Sequence, residues 1–537
     1  MKNAILICHL GRRLRLQAVA ILSTLAAVLP VTAWAQQGAE PSTQLTQQGM
    51  QGTSTVYVFN YPTVDTAGEQ IVLSSALIAW TPTDREETDS IESIHIYCHA
   101  TIGADSERPT TDGFSKEQSI LQVLPRRNFS DLLGSSEAKY VGRCIIIAPD
   151  YEGYGVTKNR PHPYLSQRLT AQQVLDAVNY GLKLYREQAA EKTADNPLLP
   201  IKKDWRTFGI GYSQGAAVTL AVQRLIEENG AADLLHYCGS ICGDGPYDLI
   251  ETMRYYFYDD GNSYNTTTDH RKGTSTYPIV VPLIVKGMCA THPKMAGYNI
   301  GDFLSQQLLD TGALDWIDSK EYTTADMGRM WRKQLDEGFD AHGRHYSPEQ
   351  MAEMFAPQSD KVTGRLDKMF TPATFAYLND PDKMAAAPAE PATAQQVFHR
   401  ALADNSVATG WEPKHRIQFY HSRGDMVVPF GNYEAFRDAH PDGENLLYRI
   451  NDTYAGSDHT DAAIIFFAYL CITTNVSDVF NWLCEGSAPT AISMTQADDQ
   501  RRQYDDNNWY TLDGRCLTSK PTSKGVYIYH RKKVVIR

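Results

Sequence analysis

At positions 211–215 the chain reads Gly211-Tyr212-Ser213-Gln214-Gly215, and this pentapeptide constrains the fold more than any other feature. It follows a strand-like run ending in Arg-Thr-Phe-Gly-Ile and precedes a helix-like run, Ala-Ala-Val-Thr-Leu-Ala. In that setting G-x-S-x-G predicts a sharp strand-to-helix turn with the serine at its apex. Side chains two residues to either side would clash in such a turn, hence the glycines. The helix start directs its dipole and free N–H groups toward the same point, where negative charge could develop.

The same alternation runs along most of the chain. Val56–Asn60 and Ile71–Trp80 read as opening strands, and Ser93–Cys98 and Cys144–Ala148 as short apolar central strands. Ala171–Glu187 carries Val174, Leu175, Val178, Leu182 and Tyr185 at helical spacing. Strand Arg206–Gly211, helix Ala216–Glu228 and strand Tyr237–Cys242 follow, and later the strands Ile417–His421 and Leu446–Ile450. This β-α-β-α-β order predicts an α/β fold, a mostly parallel sheet covered by helices on both faces. With 537 residues and a 42% apolar share, one large domain with an insertion is expected, not a string of small modules.

Between about 250 and 405 the rhythm stops. Ile300–Thr311 and Thr324–Glu337 read as helices, and Met327, Met330, Trp331, Met351, Met354, Phe355 and Met369 enrich the segment. Ala385–Ala394 is a Pro/Ala-rich connection. The expected division is a core at 36–250 and 405–485, with a helical cap at 251–404 bordering the serine. Such a cap would suit an apolar ligand, since methionine adapts to varied shapes. Residues 36–52, rich in Gln, Gly, Ser and Thr, read as a flexible lead-in.

A serine hydroxyl is a poor nucleophile without a base. The elbow and its setting resemble the α/β-hydrolase superfamily, in which the chain order is serine, acid, histidine. Asp425 lies in the turn after the strand Arg416–His421, followed by Met426-Val427-Val428-Pro429, where that fold carries its acid. His459 lies in the loop after the last strand, where the base belongs. Ser213, Asp425 and His459 are therefore the expected triad, the acid holding the imidazole tautomer and stabilising its cation. Asp458 is an alternative acid, though a sequence neighbour of the base would have difficulty reaching its Nδ1. His421, His440 and His99 are competing histidines. The expected oxyanion-hole donors are the Gln214 N–H and one from the loop His99-Ala100-Thr101-Ile102-Gly103, at Ala100 or Thr101. Asp150 and Glu152, in Ala148-Pro149-Asp150-Tyr151-Glu152-Gly153-Tyr154-Gly155, read as a structural turn outside the chemistry.

Three stretches resemble the secretory lipase family, known from fungi and with bacterial relatives: Pro149 to Gly155, the Gly-Tyr-Ser-Gln-Gly elbow, and Gly243-Asp244-Gly245-Pro246-Tyr247-Asp248-Leu249. The resemblance covers roughly residues 70 to 480. It implies the triad above, a cap over the site and esterase or lipase activity on a small-molecule or lipid ester, with no cofactor or metal. A serine peptidase of the prolyl-oligopeptidase type is the competing enzyme, disfavoured because no propeller-like repeat precedes the core. A non-catalytic binding protein on this fold would usually lack a triad member.

The ends carry addresses. Lys2, Arg12, Arg13 and Arg15, the apolar stretch Leu16 to Val31, and Ala33-Trp34-Ala35 read as a signal peptide at 1–35. The apolar run is short for a membrane anchor and is broken by Pro30. Removing its four cations takes the net charge from −13 to −17, which argues against nucleic acid as a partner. Export permits disulfides. Cys98, Cys144, Cys238 and Cys242 sit in apolar strand-like runs as core residues, and of the remaining cysteines, which include Cys289 and Cys516, Cys471 and Cys484 are the expected pair. Residues 486–509 read as an acidic linker. Residues 510–537, with Gly525-Val526-Tyr527-Ile528 and Lys532-Lys533-Val534-Val535-Ile536, resemble the C-terminal sorting segment of type IX secretion substrates. The expected location is exported, at the periplasm, cell surface or medium.

Overall fold

The computed structural model describes residues 44–48, 52–82, 89–111, 143–190, 198–259, 270–337, 348–358, 361–452, 457–471 and 473–486, and short strands between 509 and 536. The expected signal peptide and most of the expected linker lie outside the described residues. Met1–Gly486 and Ser487–Arg537 form separate compact units.

The first unit is built on a nine-stranded sheet. β1 (Gln44–Gln48), β2 (Gly52–Val64) and β3 (Gln70–Pro82) pair antiparallel. β4 (Ile91–Cys98), β5 (Cys144–Pro149), β6 (Ile201–Tyr212) and β7 (Tyr237–Gly243) follow. Three short strands of the insertion, β8 (Thr274–Ser275), β9 (Phe355–Gln358) and β10 (Lys361–Arg365), make a sheet of their own. β11 (Arg416–Tyr420) and β12 (Tyr448–Asn451) return to the main sheet. Its order is β1-β2-β3-β5-β4-β6-β7-β11-β12, antiparallel as far as the β3–β5 pair and parallel from β5 to β12. This is the α/β-hydrolase fold.

The sheet is buried on both faces, which is why its central strands are apolar without interruption. α1 (Gln167–Ala190) and α2 (Gln214–Glu228) cover one face, packing against Ile145 and Ile147. On the other face Ile146 packs with Phe466, Phe467, Leu470 and Leu483. Successive isoleucines of β5 thus serve opposite layers, as the two-residue period of a strand requires.

The insertion holds α3 (Leu249–Tyr258), α4 (Val280–Thr291), α5 (Thr324–Glu337) and α6 (Ala394–Asp404). The expected helix at 324–337 is present as drawn. The expected helix at 300–311 is not. Ser305 adopts an extended backbone and its Oγ accepts the Leu308 N–H at 3.1 Å, so only a 3-10 turn, Ile300–Asp302, and a short helix, Gln306–Leu309, form. The small sheet β8-β10-β9 also makes the insertion mixed, not purely helical. Met327, Trp331, Met351, Met354, Phe355 and Met369 are buried inside the insertion's own core. They hold the insertion together and do not form a ligand surface.

Three further expectations are corrected. The lead-in at 36–52 contains β1, because Gln44 to Gln48 pair with Tyr57 to Thr53 of β2. After α7 (Gly431–Ala439), the helix α8 (His459–Cys471) starts at His459 itself, so the histidine opens a helix. Cys484 lies on α9 (Thr473–Gly486), which packs against β7, and its Sγ is 3.5 Å from Cys238 Sγ as a thiol. The structure therefore brings Cys484 to Cys238, and the Cys471 side chain lies outside the described residues.

In the second unit β13 (Trp509–Thr511), β14 (Cys516–Leu517), β15 (Gly525–Tyr529) and β16 (Lys532–Ile536) form an antiparallel sheet in the order β14-β13-β15-β16. The two stretches that carry the sorting-segment resemblance thus pair as β15 and β16, extended by two more strands.

Candidate active site

β6 ends at Tyr212 and α2 begins at Gln214, leaving Ser213 alone between them at φ 56° and ψ −124°. For a residue other than glycine this conformation is strained, at a cost of roughly 1–3 kcal/mol. The flanking glycines are needed for close approach. A Cβ on Gly211 would stand 2.2 Å from the Gly215 carbonyl oxygen, and one on Gly215 would stand 2.0 Å from that of Cys98. The Ser213 N–H donates to the Gly243 carbonyl at 2.8 Å, which ties the turn to the end of β7.

The expected acid and base lie beyond the insertion, in the turn after β11 and at the start of α8. His459 Nε2 lies 2.9 Å from Ser213 Oγ, and its Nδ1 lies 2.5 Å from Asp425 Oδ2. Asp425 Oδ1 accepts the N–H groups of Val427 and Val428, both at 2.8 Å. These bonds fix the carboxylate and explain the turn sequence: Asp425 caps the backbone that follows it and leaves Oδ2 for the imidazole. The Tyr212 hydroxyl donates to the His459 carbonyl at 2.7 Å and so holds the start of α8 against the elbow. Asp425 is buried, whereas the His459 side chain keeps 18% of its surface exposed, so the open end of the relay is at the imidazole and serine.

The competing residues are occupied elsewhere. Asp458 caps α8, its Oδ1 accepting the Asp461 N–H at 2.8 Å. His421 is buried and donates from Nε2 to the Val428 carbonyl at 2.9 Å, and burial pushes its pKa down to about 4. His440 bonds the carbonyls of Phe436 and Trp411. His99 is buried against Tyr151, in reach of the carbonyls of Ala100 and Asp150, and burial lowers it to about 4. It is thus a neutral strut of the loop it begins. Asp150 accepts bonds from Ser74 Oγ at 2.5 Å and from the Thr110 N–H at 2.9 Å, and burial raises it to about 6. Glu152 pairs with Arg160. Both carboxylates hold loops.

Gln214 is the first residue of α2, a position whose N–H has no intrahelical acceptor. The backbone of Cys98 and His99 touches Gly215, which lays the loop carrying Ala100 and Thr101 against the elbow. Thr101 Oγ1 meets the Tyr164 hydroxyl at 2.9 Å. His162, for which no role is expected from the sequence, has a neutral ring that donates from Nδ1 to the Glu152 carbonyl at 2.8 Å and accepts from Gln214 Nε2 at 2.9 Å. It anchors the Gln214 side chain. Nor did the sequence mark Tyr212, although its place inside the pentapeptide was the available signal.

The insertion is fastened to both loops that flank Ser213. Thr276 Oγ1 donates to the Met426 carbonyl at 3.1 Å, and the Tyr256 hydroxyl to that of Val427 at 2.6 Å. On the other side the Asp105 N–H donates to the Lys320 carbonyl at 2.8 Å. Gly103 lies so close to the insertion that a Cβ would stand 2.4 Å from the Tyr322 carbonyl.

No protein-family model matches this sequence, and no curated protein matches it. Among solved structures it is similar to the rice cell wall degrading esterase LipA from Xanthomonas oryzae, with a TM-score of 0.53 and 18% identity over 81% of this chain and 92% of that one. A ligand-bound form of the same esterase aligns over 83% of this chain and 98% of that one, again at a TM-score of 0.53 and 18% identity. A candidate hydrolase from Legionella pneumophila aligns over 87% and 95% at a TM-score of 0.52 and 15% identity. What these likenesses share with the sheet order and the elbow is the fold: the chain has the architecture of the α/β-hydrolases.

Proposed function

We propose that the protein is an exported serine hydrolase that cleaves carboxylic esters by acyl transfer. One observation carries this reading: Ser213 Oγ, His459 and Asp425 stand in a continuous hydrogen-bonded relay at a strained elbow. His459 Nε2 takes the proton as Ser213 Oγ attacks the ester carbonyl, and Asp425 stabilises the imidazolium that forms. The tetrahedral oxyanion is held by the Gln214 N–H and by one from Ala100 or Thr101. His459 then gives the proton to the leaving alcohol, and the same relay activates water to release the acid.

The resemblance to secretory lipases and the esterase name carried by a structural neighbour favour esters over peptides. A peptidase would use the same relay, so the substrate panel decides between them. Signal-like residues 1–35 support export, and residues 510–537 would be read by a type IX secretion machinery. The test is hydrolysis of p-nitrophenyl esters of rising chain length beside a peptidase substrate, by the wild type and by Ser213→Ala. Loss of roughly 10⁴–10⁶ in kcat in the variant is expected. Near-normal turnover by Ser213→Ala, or cleavage of the peptide in preference to every ester, would overturn the reading.

A further inference from the structure

Beside Asp425 lies a second buried carboxyl group. Asp244 follows β7 at φ 41°, with its N–H bonded to the Tyr420 carbonyl at 2.8 Å. Its Oδ1 accepts the Ser422 N–H at 2.8 Å, while Oδ2 is buried and has no hydrogen-bond partner of ordinary geometry among the described residues. Polar atoms of Asp244, His421 and Asp425 all lie within 4.8 Å of one another, and all three residues are buried. The Asp244 and Asp425 carboxyl groups thus stand side by side in one buried cluster.

Two carboxylates cannot both stay ionised in such a place without a cation. The titratable groups facing Asp244 are Asp425, His421 and the hydroxyls of Tyr212 and Tyr247, with His459 beyond Asp425. His421 is kept neutral by burial, so none of the adjoining groups supplies a positive charge at neutral pH. One carboxyl must hold a proton, and the hydrogen bonds say which. Asp425 accepts from two backbone N–H groups and faces the imidazole, all of which favour its anion. Asp244 accepts from one backbone N–H, with the Tyr212 hydroxyl beside it. Burial and the neighbouring Asp425 anion hold Asp244 well above the usual carboxylate range.

We propose that Asp244 is a positioning residue: a neutral carboxylic acid that donates its proton in a hydrogen bond to Asp425 and sets the basicity Asp425 presents to His459. The inference rests on the triad reading above for its catalytic consequence, but not for the proton itself. The donor spreads part of the Asp425 charge away from the imidazole, which keeps His459 a base that releases its proton readily. The arrangement also holds the Asp425 loop to the end of β7, the strand end that anchors Ser213.

Two measurements test it. In pH profiles of kcat/KM on a p-nitrophenyl ester, Asp244→Asn keeps a neutral donor and should leave the acid limb where it is. Asp244→Ala removes the donor, strengthens the effective charge on Asp425, and should move the acid limb upward by about one pH unit. A downward shift in Asp244→Asn would mean that a negative charge had been removed and would overturn the proposal. An unmoved limb in Asp244→Ala would overturn it too.

The second measurement is independent of catalysis. The native state holds a proton on Asp244 that the unfolded chain releases above its ordinary pKa of 3.8. That contribution to stability is present at low pH and is lost as pH rises toward the folded value. The urea midpoint of Asp244→Asn should therefore gain on that of the wild type from pH 5 to pH 8. Parallel midpoints would show that Asp244 is ionised, refuting the proposal even where the alanine variant fails to fold. If Ser213→Ala stayed active, the triad reading would fall while this second result still decided the proton.

Discussion

Replacing Asp425 by asparagine changes one atom, and the structure says how the new side chain must sit. Oδ1 accepts two backbone N–H groups, from Val427 and Val428. An amide that turned its NH2 toward them would leave two buried donors facing donors, at about 1–3 kcal/mol each. The amide oxygen therefore stays on the backbone, and the NH2 takes the place of Oδ2, against His459 Nδ1. The imidazole must then carry its proton on Nε2, pointing at Ser213 Oγ, where a base is needed. The wrong tautomer costs about 10⁴ in kcat, or about 5.5 kcal/mol of transition-state stabilisation. Asp458→Asn is the control, because asparagine caps a helix as well as aspartate does and the loss should stay under about tenfold. The assay is kcat/KM on a p-nitrophenyl ester for both variants, with near-UV circular dichroism to show that each is folded. An Asp425→Asn enzyme within tenfold of wild type, or an Asp458→Asn enzyme as impaired, would refute the assignment of the acid.

Burial pushes His162 down to about 3, so between pH 6.5 and that value the unfolded chain binds a proton that the native ring refuses. Its contribution to stability is present above pH 6.5 and lost on acidification, by about 2 kcal/mol at pH 5. His162→Gln should lose correspondingly less between pH 7 and pH 5 in urea titrations, and equal losses would contradict the burial argument. Deleting residues 510–537 should leave ester hydrolysis in lysates unchanged while reducing the amount of enzyme at the surface or in the medium. Activity loss in the lysate would make the tail part of the hydrolase. Oxidised glutathione should couple Cys238 to Cys484, the two thiol hydrogens passing to the glutathione disulfide, and peptide mapping should recover that pair; a Cys471–Cys484 peptide would refute it.

What was legible in the sequence is what local chemistry dictates. The elbow could be read because its glycines, strand and helix are contiguous, and Asp425 because a turn aspartate followed by Val-Val-Pro caps its own backbone. The parallel strands were visible as uninterrupted apolar runs such as Cys-Ile-Ile-Ile-Ala. The start of α8 at His459 was hidden because an aspartate such as Asp458 suits a loop as well as a helix cap, and the capping bond to the Asp461 N–H shows only in the fold. β8, with two residues, and β9 and β10, with four and five, are too short to show a period. The break before residue 305 depends on a serine turning back onto its own chain, and Ile300–Thr311 otherwise reads as a helix. Long-range pairings left no local trace at all. Asp244 lies in a stretch noted for its family likeness, yet its partner Asp425 lies far along the chain, and nothing near Cys484 points to Cys238.

The insertion separates β7 from β11, although Gly239 and Arg416 pair side by side in the sheet. A ribosome delivers these strands in order, so the serine elbow is synthesised well before Asp425 and His459. Closing so long a loop adds little to the equilibrium cost, which grows only logarithmically with length, but pairings this distant in sequence form late. A nascent chain that stops within the insertion holds Ser213 without Asp425 or His459. Under the triad reading such a chain would be chemically silent, and hydrolysis would begin only when β11, β12 and α8 dock onto strands made earlier. Onset of turnover would then time the docking of the C-terminal strands and helices, and an ester that releases a chromophore could serve as a clock for the last step of folding.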